Sequence, residues 1–140
     1  MEVRSYTLAQ MTPGLSESFT VTVTAEKMAQ FCALSGDVSP IHIDPDYAAS
    51  RGYPGRVCYG MLVAAFFSTL AGVYLPGEHC LLHSVESKFA KPVFIGDTLT
   101  VTGVVEEVNA VFSEVTIKGT ITNQNGKKVC RGVIKAGLAV

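Results

Sequence analysis

The chain has 140 residues, of which 48% are hydrophobic and 16% are charged, and its net charge is −1. A chain of this length most simply forms one domain, here residues 1–140, with a real hydrophobic core. Because the charge is balanced, the chain lacks the excess of basic residues that is typical of proteins that bind DNA or RNA, and we expect no nucleic-acid partner.

The N-terminus and the cysteines indicate the compartment. The opening stretch "MEVRSYTLAQ" carries Glu2 and Arg4 and has no apolar run, so we expect no secretory signal. The cysteines are widely scattered and form no C-x-x-C pair; they are at positions 32, 58, 80 and 130. We therefore expect reduced, mostly buried thiols and a cytosolic location.

The first elements follow from alternation and capping signals. Residues 17–24, "ESFTVTVT", alternate apolar and polar side chains and predict a half-buried strand. Residues 25–36, "AEKMAQFCALSG", place apolar side chains near one helical face. Thr24 is suited to cap the start of this helix, and Gly36 is suited to end it.

A long apolar run follows at residues 57–77, "VCYGMLVAAFFSTLAGVYLPG", with no charge over 21 residues. This length could span a bilayer. Tyr59 and Gly60 mark a helix start, however, and Pro76 and Gly77 end it after about four turns, which is short for a crossing. We expect a helix enclosed by protein on every side and no membrane partner.

The second half of the chain alternates as strands do. Four segments predict strands, at residues 81–90, 98–108, 111–124 and 127–140. "NG" at positions 125 and 126 predicts a tight hairpin between the last two. The pattern predicts an α+β fold, with a curved antiparallel sheet wrapped around the apolar helix. The sheet would leave free edges, and pairing with a second copy would cover one, so we expect a homodimer.

An acidic residue and a histidine lie five positions apart in "SGDVSPIHIDPDYA". Neither a helix nor a strand would turn the side chains of Asp37 and His42 to the same side. Pro40 argues against a helix and forces Ser39 into an extended conformation. We therefore predict a bent loop that ends at a short helix over residues 44–50, with an Asp N-cap followed by Pro.

A carboxylate and an imidazole in such a loop suit chemistry on a water molecule. Both groups can hydrogen-bond one water, and one accepts a proton while the other delivers one. In the alternative interpretation, Asp37 is a turn residue and His42 is an interior histidine with satisfied hydrogen bonds. The spacing alone leaves both interpretations open.

Three motifs carry a family resemblance. "FCALSGDVSPIHIDPDYA" resembles the hydratase motif of the (R)-specific enoyl-CoA hydratases, the MaoC-like branch of the hot-dog fold. "YGMLVAAFFSTLAGVYLPG" resembles the helix of that fold, and "FAKPVFIGDTL" is similar to the strand and turn that follow it. The resemblance covers roughly residues 31–108 and implies a long central helix wrapped by an antiparallel sheet, normally in a dimer.

The resemblance also implies an activity, the reversible syn hydration of a trans-2-enoyl-CoA to an (R)-3-hydroxyacyl-CoA. Asp37 and His42 match the family's catalytic pair, and Gly60 matches a glycine whose backbone N–H is an oxyanion donor. The start of a helix favours negative charge, which agrees with that role. Alternatively, Gly60 only permits a tight helix entry. No cofactor is expected.

Five further residues are candidates for substrate binding. Ser39 and Tyr59 stand where the family usually has Asn and His. Arg56 and Lys91 could meet the phosphates of CoA, although solvated surface charge is an alternative for both. Ser68 could hydrogen-bond to a group of the active site or bond back to the preceding turn.

No metal site is expected, because His79 and His83 would lie about 13 Å apart on a strand. Two other functions compete with hydration, a hot-dog acyl-CoA thioesterase and a non-catalytic acyl-CoA-binding module. The arrangement of Asp37, Pro40 and His42 favours hydration. The presence of both titratable groups argues against the module.

Overall fold

The computed structural model describes residues 2–139, and within this range the chain forms four helices and five strands. The helices are α1 (Ala25–Ser35), α2 (Pro40–Ile43), α3 (Pro45–Ser50) and α4 (Gly60–Thr69). The strands are β1 (Ser16–Thr22), β2 (Cys80–Phe89), β3 (Thr98–Asn109), β4 (Glu114–Thr122) and β5 (Lys128–Leu138). A short 3₁₀ turn, Leu8–Gln10, precedes β1, and a π-helical turn, Leu70–Tyr74, continues α4.

The five strands form one sheet in the order β1-β3-β4-β5-β2, and every neighbouring pair is antiparallel. The predicted α+β architecture, with its antiparallel sheet and single long apolar helix, is confirmed. β1 and β2 pair on one side only, so they are the two edges of the sheet.

The predicted hairpin between β4 and β5 is present but wider than a two-residue turn. The N–H of Asn123 donates to the carbonyl of Lys127 at 2.9 Å and closes the loop. Gly126 has a φ of 72°, in the left-handed region that glycine favours. The "NG" signal therefore marks the right connection.

Side chains of helix α4 and of the turn that continues it pack directly against glycines of the sheet. Gly119 and Gly132 are partners across β4 and β5. A Cβ atom on either would come within 2.6 Å of the ring of Phe67. Phe67 is fully buried against this glycine pair, and Leu70 occupies the equivalent place over Gly103 on β3. The core of the protein is the interface between this helix and the sheet.

The expectation that the apolar helix is enclosed on every side is wrong for one of its faces. Met61, Ala65 and Ser68 are exposed, and their spacing of four and then three residues forms a single stripe. Hydropathy identifies an apolar helix but does not tell which face its own chain covers. Among residues 2–139, no helix combines the length and apolar character that crossing a membrane requires.

The predicted burial alternation is also absent from β2, most of whose side chains are exposed. Leu82, Val85 and Phe89 lie opposite buried residues of β5 and so belong to the inner face of the sheet. They are nevertheless partly exposed, because β2 is an edge strand and nothing in the described chain covers its outer flank. We call these three residues, together with Met61, which lines the same cavity as Phe89, the apolar face.

Candidate active site

The segment that carries the candidate site begins at a helix end set by local sequence. Thr24 caps α1 by accepting a hydrogen bond from the N–H of Lys27 at 3.1 Å. Gly36 ends α1 in the left-handed conformation, with φ 74°, and its N–H donates to the carbonyl of Cys32 at 2.8 Å. Both predicted caps are confirmed, and the chain is released from the helix immediately before Asp37.

The prediction of a loop without helix after Asp37 is wrong. Pro40 begins a single helical turn, α2, because a proline at the first helical position needs no N–H donor and already has a helical φ. Ser39 is extended as predicted, with φ −56° and ψ 131°. Asp44 caps α3 as predicted, accepting from the N–H groups of Asp46 and Tyr47 at 2.9 and 3.3 Å.

The helical turn brings the carboxylate and the imidazole to the same side. Nε2 of His42 lies 4.0 Å from Oδ2 of Asp37, and the two side chains are 16% and 46% exposed. Nδ1 of His42 lies 2.7 Å from the carbonyl oxygen of Val57. A carbonyl only accepts hydrogen bonds, so Nδ1 carries the proton and Nε2 of the neutral ring is an acceptor. When the ring is neutral, its unprotonated nitrogen therefore faces Asp37.

Three hydrogen bonds fix Asp37 beside the histidine. Oδ1 accepts from the N–H of Ser39 at 3.0 Å, and the N–H of Asp37 donates to Oγ of Ser35 at 3.2 Å. The hydroxyl of Tyr59 donates to the main-chain carbonyl of Asp37 at 2.7 Å. These bonds leave Oδ2 directed towards His42.

Tyr59 lies beneath the pair at the start of α4. Its ring is 2% exposed and stacks on the imidazole of His42, with centroids 4.1 Å apart and planes inclined by 30°. Phe31 packs against the same ring at 4.8 Å. Burial, together with Cys32 and Asp37 nearby, raises the pKa of Tyr59 to about 12. The hydroxyl is therefore protonated at neutral pH and remains a donor.

The segment before α4 holds the helical turn that carries His42. Nε of Arg56 donates to the carbonyl of His42 at 2.7 Å. The N–H of Val57 donates to the carbonyl of Ile41 at 3.1 Å. With the bond from the imidazole to Val57, these contacts fix both the backbone and the ring of His42.

Two cavities meet at the histidine. The first, of about 260 Å³, is lined by Phe31, Ser35, Asp37, His42, Tyr59, Gly60, Met61 and Phe89. The second, of about 400 Å³, is mostly apolar and is lined by His42, Tyr53, Val57, Cys58, Gly60, Val63, Phe89, Ala90, Lys91, Pro92, Val93 and Val129. His42, Gly60 and Phe89 belong to both. Gly60 is the first residue of α4, and within the described chain no side chain caps that helix start.

The structure brings together most, but not all, of the predicted site residues. Asp37, His42, Gly60 and Tyr59 share the first cavity, and Lys91 lines the second. Three other predicted residues lie elsewhere, all within the described part of the chain. The Ser39 side chain lines a separate groove, Arg56 is directed at the backbone of His42, and Ser68 is on the exposed stripe of α4 and lines neither cavity.

Phe89 is a lining residue that sequence reasoning missed. It belongs to both cavities and is half exposed at the end of β2. Met61 was missed as well, and it is 66% exposed at the mouth of the first cavity. Their sequence signal is weak, because an apolar residue in an apolar segment looks like core. Only the position of Phe89 immediately before the loop of residues 90–97 could have indicated it.

Comparison with known proteins identifies the family of the chain. The MaoC-like domain matches residues 8–127, and the chain therefore belongs to the MaoC-like family of hydratases and dehydratases. An (R)-specific enoyl-CoA hydratase of Rhodospirillum rubrum is 36% identical over 119 residues, which cover 85% of this chain and 82% of that protein. The predicted family membership is confirmed, as is the enzyme class, a hydro-lyase.

Solved structures confirm the hot-dog fold. The R-hydratase PhaJ1 from Pseudomonas aeruginosa superposes with a TM-score of 0.92 at 29% identity, covering 98% of this chain and 88% of that one. The (R)-hydratase from Aeromonas caviae superposes with a TM-score of 0.87 at 31% identity, covering 91% and 96%.

Proposed function

We propose that this protein catalyses the reversible syn hydration of a trans-2-enoyl-CoA to an (R)-3-hydroxyacyl-CoA. The observation that carries the proposal is the 4.0 Å separation of His42 Nε2 and Asp37 Oδ2 at the wall of a cavity. The relatives named as (R)-specific enoyl-CoA hydratases support it at the level of the reaction.

The hydrogen-bonding character of the two atoms favours a shared water. An ionised carboxylate accepts hydrogen bonds only, and Nε2 of the neutral imidazole also accepts. The two atoms therefore cannot bond to each other, but a water about 2.8 Å from each can donate one of its two hydrogens to each of them. Its lone pairs then remain free to attack C3 of the enoyl group.

We infer the following steps from this arrangement. The water gives one proton to Nε2 of His42 while its oxygen bonds to C3, and the C2–C3 double bond becomes an enolate. The protonated imidazole then returns that proton to C2, and Asp37 stabilises the transient positive charge. Because OH and H come from one site on one face of the substrate, the addition is syn.

Gly60 supplies the group that the enolate needs. The first N–H groups of a helix are free of intrahelical partners, and the helix dipole favours negative charge beside them. Charge that develops on the thioester oxygen would be bound there as an oxyanion. We assign the oxyanion role to Gly60, and the acid–base roles to Asp37 and His42.

The second cavity suits the rest of the thioester. Its apolar lining is appropriate for an acyl or pantetheine chain, and Lys91 at its edge could meet a CoA phosphate. Arg56 is engaged with the backbone of His42, which favours a supporting role over a phosphate contact. Substrate contacts of Ser39 and Ser68 stay predictions.

We propose further that the working form is a homodimer. The inner face of edge strand β2 exposes Leu82, Val85 and Phe89, and helix α4 exposes Met61, so one partner copy could cover both. A cytosolic location also stays a prediction. The four cysteines, all within the described chain, are unpaired, which suits a reducing compartment.

The test of the proposed function is to follow the conjugated enoyl absorbance of crotonyl-CoA on mixing with the protein. We expect hydration by the wild type and a loss of at least about 10³-fold in turnover for Asp37→Asn. Asp46→Asn is a matched control, because Asp46 is an exposed carboxylate in the first turn of α3. Thiol release without hydration would indicate a thioesterase, and near-normal activity of Asp37→Asn would remove Asp37 from the mechanism.

A further inference from the structure

We propose that Tyr59 is a positioning residue that sets the geometry of Asp37 and His42 through two separate contacts. The inference rests on the proposed function and goes beyond it, because Tyr59 then acts on the pair and not on the substrate. A purely apolar core residue would contribute packing but would not tie both members of the pair to one ring.

The first contact is a hydrogen bond to the main chain of Asp37. The hydroxyl donates to the carbonyl at 2.7 Å and joins residues that are 22 positions apart. The other two bonds of Asp37 are to Ser35 and Ser39, within two positions in the sequence. Tyr59 is thus the contact among these three that fixes the Asp37 loop relative to α4 and the cavity.

The second contact is the stack on the imidazole. The Tyr59 and His42 rings lie 4.1 Å apart, and Phe31 supports the tyrosine ring from another side at 4.8 Å. His42 is held at Nδ1 by Val57, so the stack restricts the remaining tilt of the ring. The direction of Nε2 towards Asp37 is then fixed.

The buried setting makes the first contact durable. Tyr59 is 2% exposed, so competition of solvent for its hydroxyl is limited. Burial raises the pKa of Tyr59 to about 12, and the hydroxyl remains a donor throughout the working range of an acid–base enzyme. The bond to Asp37 is therefore constant while the catalytic pair exchanges protons.

The consequence is a defined kinetic effect. Tyr59→Phe keeps the ring, and so the stack on His42, but removes the bond to Asp37. A misplacement of about 1 Å in a catalytic group lowers the rate by about 10²-fold. We expect kcat to fall between about 10-fold and 10²-fold and KM to change less than about threefold, because the hydroxyl that is removed is bonded to the Asp37 carbonyl.

A double-mutant cycle separates positioning from general structure. If Tyr59 acts through the Asp37 carboxylate, Tyr59→Phe should lower kcat in the wild type but by less than about twofold in the Asp37→Asn background. Additive losses would assign Tyr59 a general structural role and overturn the proposal. Tyr74→Phe is the matched control, because Tyr74 is half buried, stacks on Phe19 at 4.9 Å and lines neither cavity.

A measurement without substrate keeps this inference distinct from the proposed function. ¹⁵N relaxation should show increased motion of residues 36–39 in Tyr59→Phe, with α4 unchanged and no change in Tyr74→Phe. An inactive wild type with this loosening would refute the hydratase proposal but support the tie between Tyr59 and Asp37. An active wild type with an unchanged loop and unchanged kcat in Tyr59→Phe would refute the role of Tyr59 alone.

Discussion

The ring of Phe89 lies 3.4 Å from the point that a Cβ atom would occupy on Gly60. This is an ordinary van der Waals separation, and Gly60 has the backbone conformation of a helix, so the folded chain would accept an alanine there. The small residue therefore does not serve the packing of the chain itself. Because Gly60 lines both cavities, we infer that it leaves room for a ligand to approach the start of α4.

Replacing Gly60 with Ala should separate activity from stability. The methyl group would crowd the thioester oxygen at the helix start, and we expect kcat/KM for crotonyl-CoA to fall by at least about 10-fold. The melting temperature should stay constant or rise, because alanine is favoured over glycine in helices by up to about 1 kcal/mol. Steady-state kinetics and thermal unfolding measured on one preparation check both outcomes.

Gly72→Ala is the matched control for that experiment. Gly72 lies in the helical turn after α4, and a Cβ atom there would have no neighbour within 4 Å. It should leave kcat/KM unchanged. Full activity in Gly60→Ala would show that the space beside Gly60 is not used by substrate.

Phe89 should control which acyl groups are accepted. Its ring forms a shared wall of the two cavities, so Phe89→Ala would join them. We expect the ratio of kcat/KM for long to short enoyl-CoAs to rise by about 10-fold, the effect of one or two methylene groups in an apolar pocket. A panel of enoyl-CoAs of increasing length measures this ratio.

Phe112→Ala provides the comparison, since Phe112 is 73% exposed between β3 and β4 and lines neither cavity. It should preserve the chain-length profile of the wild type. If Phe89→Ala preserves it too, the acyl chain does not pass this ring.

The parts of the site that the sequence predicted are those decided by a few neighbouring residues. Gly36 ends α1, and Asp44 caps α3, because cap geometry depends on a single turn of backbone. The spacing of Asp37 and His42 left two interpretations open, and only the family resemblance matched them to a catalytic pair. The helical turn α2 was missed because Pro40 excludes the interior of a helix but suits its first position.

The remaining features depend on the tertiary fold. The bond from Tyr59 to Asp37 joins residues on different elements, and no local pattern encodes it. Hydropathy likewise predicted helix α4. It did not predict that the stripe containing Met61 would be exposed, because the burial of a helix face depends on which strands pack against it. The direction of Arg56 towards the backbone of His42 likewise depends on the tertiary fold.

A charge placed on the apolar face should separate the proposed dimer. Val85 is 38% exposed on the inner face of edge strand β2, and Val85→Lys would bury an unpaired ammonium in an interface formed there. We expect monomers by sedimentation velocity where the wild type sediments as a dimer. Val104→Lys is the control, because Val104 is 36% exposed but lies on β3, away from the edge formed by β2. Equal sedimentation of the wild type and Val85→Lys would exclude this face as the interface.

Two buried groups at the start of α4 predict how stability changes in alkali. Burial raises the pKa of Cys58 from 9.0 to about 12, and it is the main cause that raises the pKa of Tyr59 from 10.0 to about 12. The folded protein thus holds both protons more tightly than the unfolded chain does. Their contribution to stability is complete below about pH 9 and is lost as the pH rises towards 12.

The free energy of unfolding, measured with urea between pH 8 and pH 11, should therefore fall with a slope that Tyr59→Phe and Cys58→Ala each reduce. Both variants are compared with the wild type by slope and not by absolute stability, because removing buried atoms also lowers stability at every pH. Tyr74→Phe should retain the wild-type slope. Identical slopes in all four proteins would mean that neither proton is held more tightly in the folded state, and the buried donor hydroxyl assigned to Tyr59 would lose its support.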